Sequence, residues 1–191
     1  MSKIYKLISI INLDRETQLQ VLKIRNEESI RRWMLTENEI NIDEHFSWIE
    51  SLKIDKNHIC FIIIDEDFQP IGAINIKKID KKNRNAEIGF YKIQNHSEKG
   101  LMVKCLSSVI DYSFNNLELE KIYSETIEGN QKSYDMHKKL LFTEEGYLRS
   151  HIIIQGKYTG IYLFGLLKNE WVNGKNNCTT RNDIFIEIGN V

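Results

Sequence analysis

The sequence predicts an α+β fold, or an α/β fold of three layers, with helices on both faces of a central mixed, mostly antiparallel sheet of about seven strands. Short apolar runs bounded by turn residues alternate with longer segments of helical spacing, in the order β-α-α-β-β-β-α-β-α-β-β. Hairpin signals occupy the middle of the chain, and β-α-β crossovers follow. Antiparallel and parallel strand pairs are therefore both expected in one sheet.

The first half of the chain contains the predicted hairpins. Its expected elements are a strand at 5–12, helical stretches at 14–34 (with a break near Asn26) and 43–54, and strands at 58–65, 71–79 and 85–93. Asp43 is the expected N-cap of the helix that follows it, and Phe46, Ile49 and Leu52 share one helical face. A turn at 66–70 and another at 80–85 separate the last three strands.

The second half predicts two crossovers and a closing hairpin. Its expected elements are helices at 98–115 and 130–141 and strands at 121–128, 146–155 and 158–168. Leu101, Cys105 and Leu106 lie on one face of the first helix, and Asn130 is the expected cap of the second. We therefore expect the first helix to bury this apolar face against the sheet.

One domain, residues 1–172, is expected, because the chain has a single proline and no Gly/Ser-rich linker. After Trp171 the sequence becomes polar and rich in turn residues, so residues 173–191 are interpreted as a tail. The last residues, IFIEIGNV, alternate in the manner of a short strand.

Charge and cysteine usage limit the classes of function. The 26 Lys and Arg residues nearly balance 27 Asp and Glu residues, which argues against a nucleic-acid-binding protein. Three dispersed cysteines exclude a disulfide framework and a cysteine-rich zinc site, and they fit a reducing cytoplasm; no metal is expected. No apolar run is long enough to span a membrane, and the amino terminus lacks the features of a signal peptide.

Three features are candidates for chemistry. The segment Asn95–Gly100 joins a strand to a helix and is either an anion site or an ordinary connection. His137 falls on the sheet-facing side of helix 130–141, where a histidine serves as a catalyst or packs in the core, and Glu125 points away from Ser124 and Thr126. A basic hairpin contains Lys77, Lys78, Lys81, Lys82 and Arg84. This hairpin is either a solvated turn or a binding site for a diphosphate. In the second case Lys77 or Lys78, near the end of the strand, would be better placed to contact the diphosphate than the lysines at the tip.

The order strand, glycine-containing loop, long helix, strand and Asn-capped helix, ending in Leu-Phe-x-x-Glu-Gly-Tyr, resembles the GCN5-related N-acetyltransferase (GNAT) superfamily. This resemblance implies that acetyl-CoA, the acetyl donor, lies in a V-shaped opening between strands 85–93 and 121–128. Gly100 matches the first glycine of the family loop, and Met102 stands where a second small residue is usual. The residues implied to contact the cofactor are Ile88, Phe90, Tyr91, Glu98, Lys99, Gly100, Leu101, Met102, Asn130 and Ser133.

The same resemblance implies two catalytic residues. Glu125 matches the position of a general base that takes a proton from the attacking amine, directly or through water. His137 stands where a tyrosine often donates a hydrogen bond to the CoA sulfur, so the histidine would act as that donor. Backbone N–H groups near Phe90 and Tyr91 would polarise the thioester carbonyl.

The segment from Leu22 to Leu52 is similar to the acetyltransferases of pseudaminic acid biosynthesis, which acetylate the 4-amino group of UDP-4-amino-4,6-dideoxy-N-acetyl-β-L-altrosamine. The implied acceptor is thus a UDP-linked amino sugar. The matching positions are Arg25 and His45 as hydrogen-bonding residues, Met34 and Trp48 as apolar walls, and Tyr91 in the sugar site.

Two other functions stay open. A protein amino-terminal acetyltransferase, of the kind that modifies ribosomal proteins, would have an open groove for a peptide. A non-catalytic acyl-CoA-binding module is suggested by Met102 and by the absence of the usual tyrosine. The oligomeric state is also open, and a homodimer is compatible with the sequence.

Overall fold

The computed structural model describes residues 3–93, 98–178 and 184–189. Within these ranges the strands are β1 (Lys3–Ser9), β2 (Ile59–Ile64), β3 (Pro70–Asp80), β4 (Asn85–Lys92), β5 (Lys121–Ile127), β6 (Thr143–Ile154), β7 (Lys157–Leu167) and β8 (Ile184–Ile188). The helices are α1 (Arg15–Asn26), α2 (Glu28–Arg31), α3 (Ile42–Leu52), α4 (Leu101–Asn115), α5 (Gln131–Lys139) and α6 (Lys168–Gly174).

All eight described strands belong to one sheet, in the order β6-β7-β5-β4-β3-β2-β1-β8. The pairs β4–β5 and β1–β8 are parallel, and the other neighbouring pairs are antiparallel. The predicted mixed, mostly antiparallel sheet is thus confirmed. The eighth strand comes from the alternating residues near the carboxyl terminus, which pair with β1 at the sheet edge.

Helices cover both faces of the sheet. On one face, Ile74 of β3 and Ile88 of β4 belong to the core cluster that contains the apolar residues of α4. On the other face, Ala73 packs in a second cluster with Val21 of α1 and Ile49 of α3. These surfaces are called the α4–α5 face and the α1–α3 face below, and strand alternation assigns neighbouring residues to opposite faces.

Several predicted boundaries differ from the structure for local reasons. The first strand ends at Ser9, because residues 10–12 form a 3₁₀ turn. Asn41, and not Asp43, caps α3: its side chain accepts a hydrogen bond from the N–H of Glu44, whose carboxylate accepts one from the N–H of Asn41. The long helix begins at Leu101, after Gly100 with its φ of 88°.

The carboxy-terminal part of the described chain packs against the same core. Trp171 of α6 is 1% exposed, and its indole N–H donates to Asp111 of α4 at 2.9 Å. Cys178 is also buried in the α4–α5 face cluster. The helix α6 crosses residue 172, and the domain boundary at that position stays a prediction.

No helix in the described ranges has the length and hydropathy needed to cross a membrane.

Candidate active site

The central feature of the site is an opening between the two parallel strands in the middle of the sheet. The hydrogen-bonded register of β4 with β5 runs only from Asn85–Lys121 to Glu87–Tyr123. Beyond this point β4 continues beside β3 to Lys92, and β5 continues beside β7 to Ile127. The facing edges of Ile88–Lys92 and Ser124–Ile127 therefore have no mutual ladder, and their backbone groups are available to a ligand.

One side of the opening leads to the amino terminus of α4. Gly100 is left-handed, with a φ of 88°, and no side chain among the described residues caps the helix. Met102 stands where the family resemblance led us to expect a small residue; it is 8% exposed and packs into the core with Leu101. Its bulk therefore lies away from the loop side of the helix. Residues 94–97 of the predicted loop lie outside the described residues.

Glu98 and Lys99 precede this helix. The carboxylate of Glu98 forms an ion pair with the ammonium of Lys3 on β1, and only 11% of the Glu98 side chain is exposed. The turn before α4 is thereby attached to β1, the neighbour of the edge strand β8. Both residues stay predicted cofactor contacts.

The first turn of α5 forms the other side of the opening. The side chain of Asn130 accepts a hydrogen bond from the N–H of Ser133 at 3.2 Å, as expected of a cap. The hydroxyl of Ser133 lies 3.2 Å from that of Thr126, which faces α5 from β5. The cap and this hydroxyl pair hold the start of α5 at the edge of the opening.

His137 is enclosed between α5 and the sheet. Its side chain is 1% exposed, and its ring stacks on Phe164 with a centroid distance of 4.7 Å. Phe90 and Phe142 approach the ring to 5.4 and 5.1 Å. The predicted orientation towards the sheet is confirmed, and the surroundings are mostly aromatic.

The protonation of His137 follows from its contacts. Burial lowers the pKa of the imidazole to about 4, although a hydrogen bond to the Ser133 carbonyl opposes this effect. That carbonyl lies 2.8 Å from Nδ1 and can only accept, so Nδ1 carries the proton. In the neutral ring Nε2 then has a lone pair and no proton. The predicted hydrogen-bond donation from His137 to the CoA sulfur conflicts with this tautomer.

We expect His137→Phe to lower kcat by less than about tenfold, which is below the usual contribution of a general acid. The stability of the wild type should fall between pH 6.5 and about 4, because the unfolded histidine binds a proton that the folded one excludes. The variant should lack this loss of roughly 3 kcal/mol across the window. Steady-state kinetics and urea unfolding at several pH values measure both effects. A larger fall in kcat would return His137 to the acid role.

Glu125 lies on the opposite side of the sheet from His137. It is exposed, whereas its neighbours Ser124 and Thr126 are buried, as the sequence predicted. Its place on β5 is beyond the last β4–β5 pair, so its carboxylate stands beside the opening on the α1–α3 face. Gly89 is on the same face of β4, and a Cβ at Gly89 would meet no described atom within 4 Å. The face thus has space for an acceptor next to Glu125.

A buried carboxylate on this face was missed by sequence reasoning. Glu87 is 5% exposed, and its oxygens lie 2.6 Å from Nζ of Lys77 and 2.7 Å from Nζ of Lys78. Burial alone would raise the pKa of Glu87, but the two lysines outweigh it and lower that pKa. The sequence did contain a sign of this site, because Glu87 is a charged residue inside the otherwise apolar strand 85–93. A buried charge requires a partner of opposite charge.

A bulge in β3 lets two consecutive lysines reach the same carboxylate. Successive strand residues normally point to opposite faces, but the register shifts between Lys77 and Asp80, and Lys78 has a φ of 54°. Both ammonium groups are therefore committed to Glu87. The predicted role of Lys77 and Lys78 as diphosphate contacts has to compete with these ion pairs.

Arg25 and Tyr91 are brought together on the α1–α3 face. Burial lowers the pKa of the Arg25 guanidinium and raises that of the Tyr91 phenol, and each group acts on the other's pKa. Nη1 of Arg25 is buried, and no described residue accepts a hydrogen bond from it. A buried cationic donor without an acceptor is costly, so this nitrogen is suited to a ligand oxygen.

The other residues predicted to contact the sugar differ in how far they are buried. His45 is 3% exposed, and its Nε2 donates to the backbone carbonyl of Gln18 at 2.9 Å, so this nitrogen joins α3 to α1. Trp48 is half-buried, with its ring centroid 5.8 Å from that of His45. Met34 is half-buried in the segment after α2. The sugar-contact roles of these three residues stay predictions.

The segment that follows α2 passes over the carboxyl end of β5. A Cβ at Gly129 would lie 3.9 Å from the Trp33 ring, and Glu37 accepts a hydrogen bond from the N–H of Gln155 in the β6–β7 turn at 2.6 Å. The segment that contains Trp33 and Glu37 therefore forms one wall of the groove on the α1–α3 face. In the part of the chain that the structure describes, no group of three or more metal-ligating side chains is present.

Comparison with known proteins identifies a family. Residues 10–143 match the model of the acetyltransferase (GNAT) domain. The chain is 34% identical over 110 residues to the uncharacterized N-acetyltransferase p20 of Bacillus licheniformis, an alignment that covers 58% of this chain and 62% of p20. It is 28% identical over 163 residues to the putative ribosomal N-acetyltransferase YdaF of Bacillus subtilis, covering 83% and 88% of the two chains.

More distant similarities concern the fold and the expected subfamily. The crystal structure of spermidine N-acetyltransferase from Vibrio cholerae in complex with CoA and spermine superimposes with a TM-score of 0.81 at 24% identity, covering 88% of this chain and 98% of that chain. At this identity the likeness concerns the fold. The acetyltransferase PseH of Campylobacter jejuni is 27% identical over 138 residues, covering 72% of this chain and 84% of PseH.

Proposed function

This chain belongs to the GNAT acetyltransferase family, and on that premise we propose that it acetylates the amino group of a UDP-linked amino-dideoxy sugar. Both relatives are named as N-acetyltransferases, and the matching domain model is an acetyltransferase model. The acceptor is our proposal, and one observation carries it. Nη1 of Arg25, whose guanidinium interacts with Tyr91, is buried, and no described residue accepts a hydrogen bond from it. An acceptor with phosphate, carboxylate or carbonyl oxygens supplies the missing partner.

The residues of the opening fit an acetyl donor. In this family acetyl-CoA supplies the acetyl thioester that the amine attacks. The edge of β4 beyond Glu87, which does not pair with β5, offers backbone N–H groups to the donor. Gly100 has no side chain to cap α4, and no other described side chain does so. The cofactor-contact roles predicted for Ile88, Phe90 and their neighbours belong to this proposal.

The proposed chemistry assigns Glu125 to the amine. Its carboxylate accepts a proton from the attacking nitrogen, directly or through one water, on the face where the groove has room. As the bond from the carbonyl carbon to nitrogen forms, the bond to sulfur breaks, and CoA leaves as a thiolate that takes its proton from solvent. Arg25 and Tyr91 hold the acceptor so that the nitrogen reaches the opening. Lys77 and Lys78 keep Glu87 ionised beneath the groove and are not needed as diphosphate ligands.

A polyamine is the second candidate acceptor. Two carboxylates offset most of the positive charge of the groove floor, because Lys77 and Lys78 bind Glu87 and Lys121 binds Glu145 at 2.7 Å. Among the described residues, no lysine or arginine forms an ion pair with the exposed Glu125, and such a free carboxylate suits a cationic amine. Against this candidate, the buried guanidinium of Arg25 would repel a polycation.

Purified protein should be incubated with acetyl-CoA and, separately, with the UDP-4-amino-dideoxy sugar, spermidine or a peptide with a free amino terminus. We expect an added acetyl group, measured by mass spectrometry, on the sugar. Arg25→Met should raise KM for the sugar by more than about tenfold, the cost of a lost charge-assisted hydrogen bond, and leave KM for acetyl-CoA unchanged.

Lys23→Met is the matched control, because Lys23 is an exposed cation on the same helix. It should leave both KM values within about twofold, as is usual for exposed charges. Acetylation of spermidine alone would transfer the proposal to polyamines. Acetylation of the peptide alone would transfer it to protein amino termini.

A further inference from the structure

We propose that the side-chain amide of Asn75 donates a hydrogen bond to an oxygen beside the reacting amine of the acceptor, and that His58 positions this amide. The proposal rests on the proposed function and narrows the acceptor to amines with an oxygen on a neighbouring carbon. Neither Asn75 nor His58 was a predicted site residue. The strand register, the hydrogen bond between the two residues and the space over Gly89 support the assignment.

The register of β3 places Asn75 beside the space over Gly89. Asn75 pairs with Cys60 of β2 on one side and with Gly89 of β4 on the other. Cys60 packs in the cluster of the α1–α3 face, so the half-buried side chain of Asn75 points to that face as well. Antiparallel partners have Cα atoms about 5 Å apart. Asn75 therefore borders the groove at the position where Gly89 contributes no side chain.

A hydrogen bond fixes the orientation of the Asn75 amide. Nε2 of His58 lies 2.9 Å from Oδ1 of Asn75, and the imidazole donates because this oxygen can only accept. The NH2 group of the amide is a donor, and no described residue accepts a hydrogen bond from it. His58 immediately precedes β2, on one side of β3, and Gly89 lies on the other side. The NH2 group is thus available to a ligand over Gly89.

The imidazole of His58 is itself held in place by α3. His58 is half-buried, and the ring of Trp48 lies with its centroid 6.0 Å from the imidazole. Trp48 limits the movement of the imidazole, and the imidazole limits that of the Asn75 amide. An amide that is ordered before the acceptor binds loses less entropy when the new hydrogen bond forms.

The proposed mechanism brings the reacting nitrogen close to Asn75. Glu125, the proposed base, stands beside the opening on the α1–α3 face. Gly89 is the first residue of β4 on that face beyond the last β4–β5 pair. An amine that contacts Glu125 and reaches the opening therefore has its neighbouring carbon atoms over Gly89. A donor on β3 at this level is suited to a hydroxyl or carbonyl oxygen on one of those carbons.

An oxygen beside the amine distinguishes the candidate acceptors. An amino sugar has a hydroxyl on the carbon next to its amine, and a peptide has a carbonyl next to its amino terminus. Spermidine contains no oxygen, so it cannot accept a hydrogen bond from Asn75. The amide donor therefore favours the first two acceptors over a polyamine.

Steady-state kinetics of Asn75→Leu test the donor, because leucine keeps the approximate volume of the side chain and removes the amide. We expect kcat/KM for the UDP-4-amino-dideoxy sugar to fall by about tenfold, the cost of an oxygen left without its hydrogen bond. For spermidine kcat/KM should change by less than about twofold, as should KM for acetyl-CoA. Asn75→Asp keeps the oxygen that His58 binds and loses only the NH2 group, so it should show at least the same fall for the sugar.

Two variants of His58 test its positioning role. In His58→Gln the side chain retains an N–H donor near the place of Nε2, so kcat/KM for the sugar should stay within about twofold of the wild type. His58→Phe keeps a ring against Trp48 but has no donor, and it should lower kcat/KM by about threefold. Losses of equal size in the two variants would assign His58 to packing and overturn its positioning role.

Asn116→Leu is the matched control, because Asn116 is an exposed asparagine at the end of α4. It should leave kcat/KM for the sugar within about twofold. An unchanged kcat/KM for the sugar in Asn75→Leu and Asn75→Asp would overturn the role of Asn75 and leave the proposed function intact. Equal losses with every acceptor, together with a raised KM for acetyl-CoA, would assign Asn75 to the fold and also overturn this role.

The identity of the acetylated amine separates the two proposals. Acetylation of the peptide in place of the sugar, with a tenfold loss in Asn75→Leu, would overturn the sugar as acceptor and support Asn75 as the donor to the peptide carbonyl. Acetylation of spermidine alone would overturn both proposals, because that acceptor offers no oxygen to the amide.

Discussion

Replacing Glu125 by glutamine is expected to lower kcat for amine acetylation by about 10²- to 10³-fold, the usual contribution of a positioned general base. Glutamine keeps the shape of the side chain and removes the proton acceptor. KM for acetyl-CoA should stay within about twofold, because Glu125 faces away from α5 and the cap at Asn130. Steady-state kinetics with the preferred amine measure both parameters.

The pH dependence separates base catalysis from binding. The amine is increasingly neutral at high pH and then needs no base, so the deficit of Glu125→Gln should shrink as pH rises. Glu120→Gln is the control: Glu120 is an exposed carboxylate just before β5, paired with Arg84 at 2.9 Å. It should alter kcat by less than about twofold. A normal kcat in Glu125→Gln would remove this residue from the mechanism.

The second large effect concerns stability. Gly72→Ala should lower the free energy of unfolding by about 3 kcal/mol, at the upper end of overpacking costs. A Cβ at Gly72 would lie 2.4 Å from the Tyr91 carbonyl oxygen and 3.0 Å from Cα of Lys92. Both atoms are backbone of β4, so no side chain can rotate away. The strand that borders the opening would have to move.

Thermal and urea unfolding measure this effect, and Tm should fall by about 10 °C. Gly89→Ala is the matched control on β4, because its Cβ would meet nothing within 4 Å among the described residues. That variant should change stability by less than about 1 kcal/mol. A normal Tm for Gly72→Ala would show that β3 and β4 separate locally without penalty.

Much of the sheet was predictable because strand and helix periodicity are local properties. The run from Cys60 to Ile64 is buried as expected, and the exposure of Glu125 followed from simple alternation. The family resemblance was equally accessible, since it depends on the order of motifs. The choice of α3 cap was wrong because Asn41 and Glu44 form a reciprocal pair, which outweighs the single candidate Asp43.

The site was predicted less completely than the fold. His137 was placed correctly against the sheet, yet its protonation depends on Ser133 and on the enclosing aromatic rings. Lys77 and Lys78 were expected to be available for a diphosphate, but they bind Glu87. Whether a charged side chain is available to a ligand depends on whether a residue from another part of the chain forms an ion pair with it. The spacing of residues along the sequence does not show such pairs.

The sequence by itself determined the α+β architecture, the GNAT family and the two strands that separate at the centre, because these depend on short-range patterns and motif order. The tertiary structure decided which polar groups are available. The bulge at Lys78, the tautomer of His137 and the unsatisfied nitrogen of Arg25 arise from contacts between separate elements. Such contacts set the cost of burying each charge, and that cost decides which groups can serve a substrate.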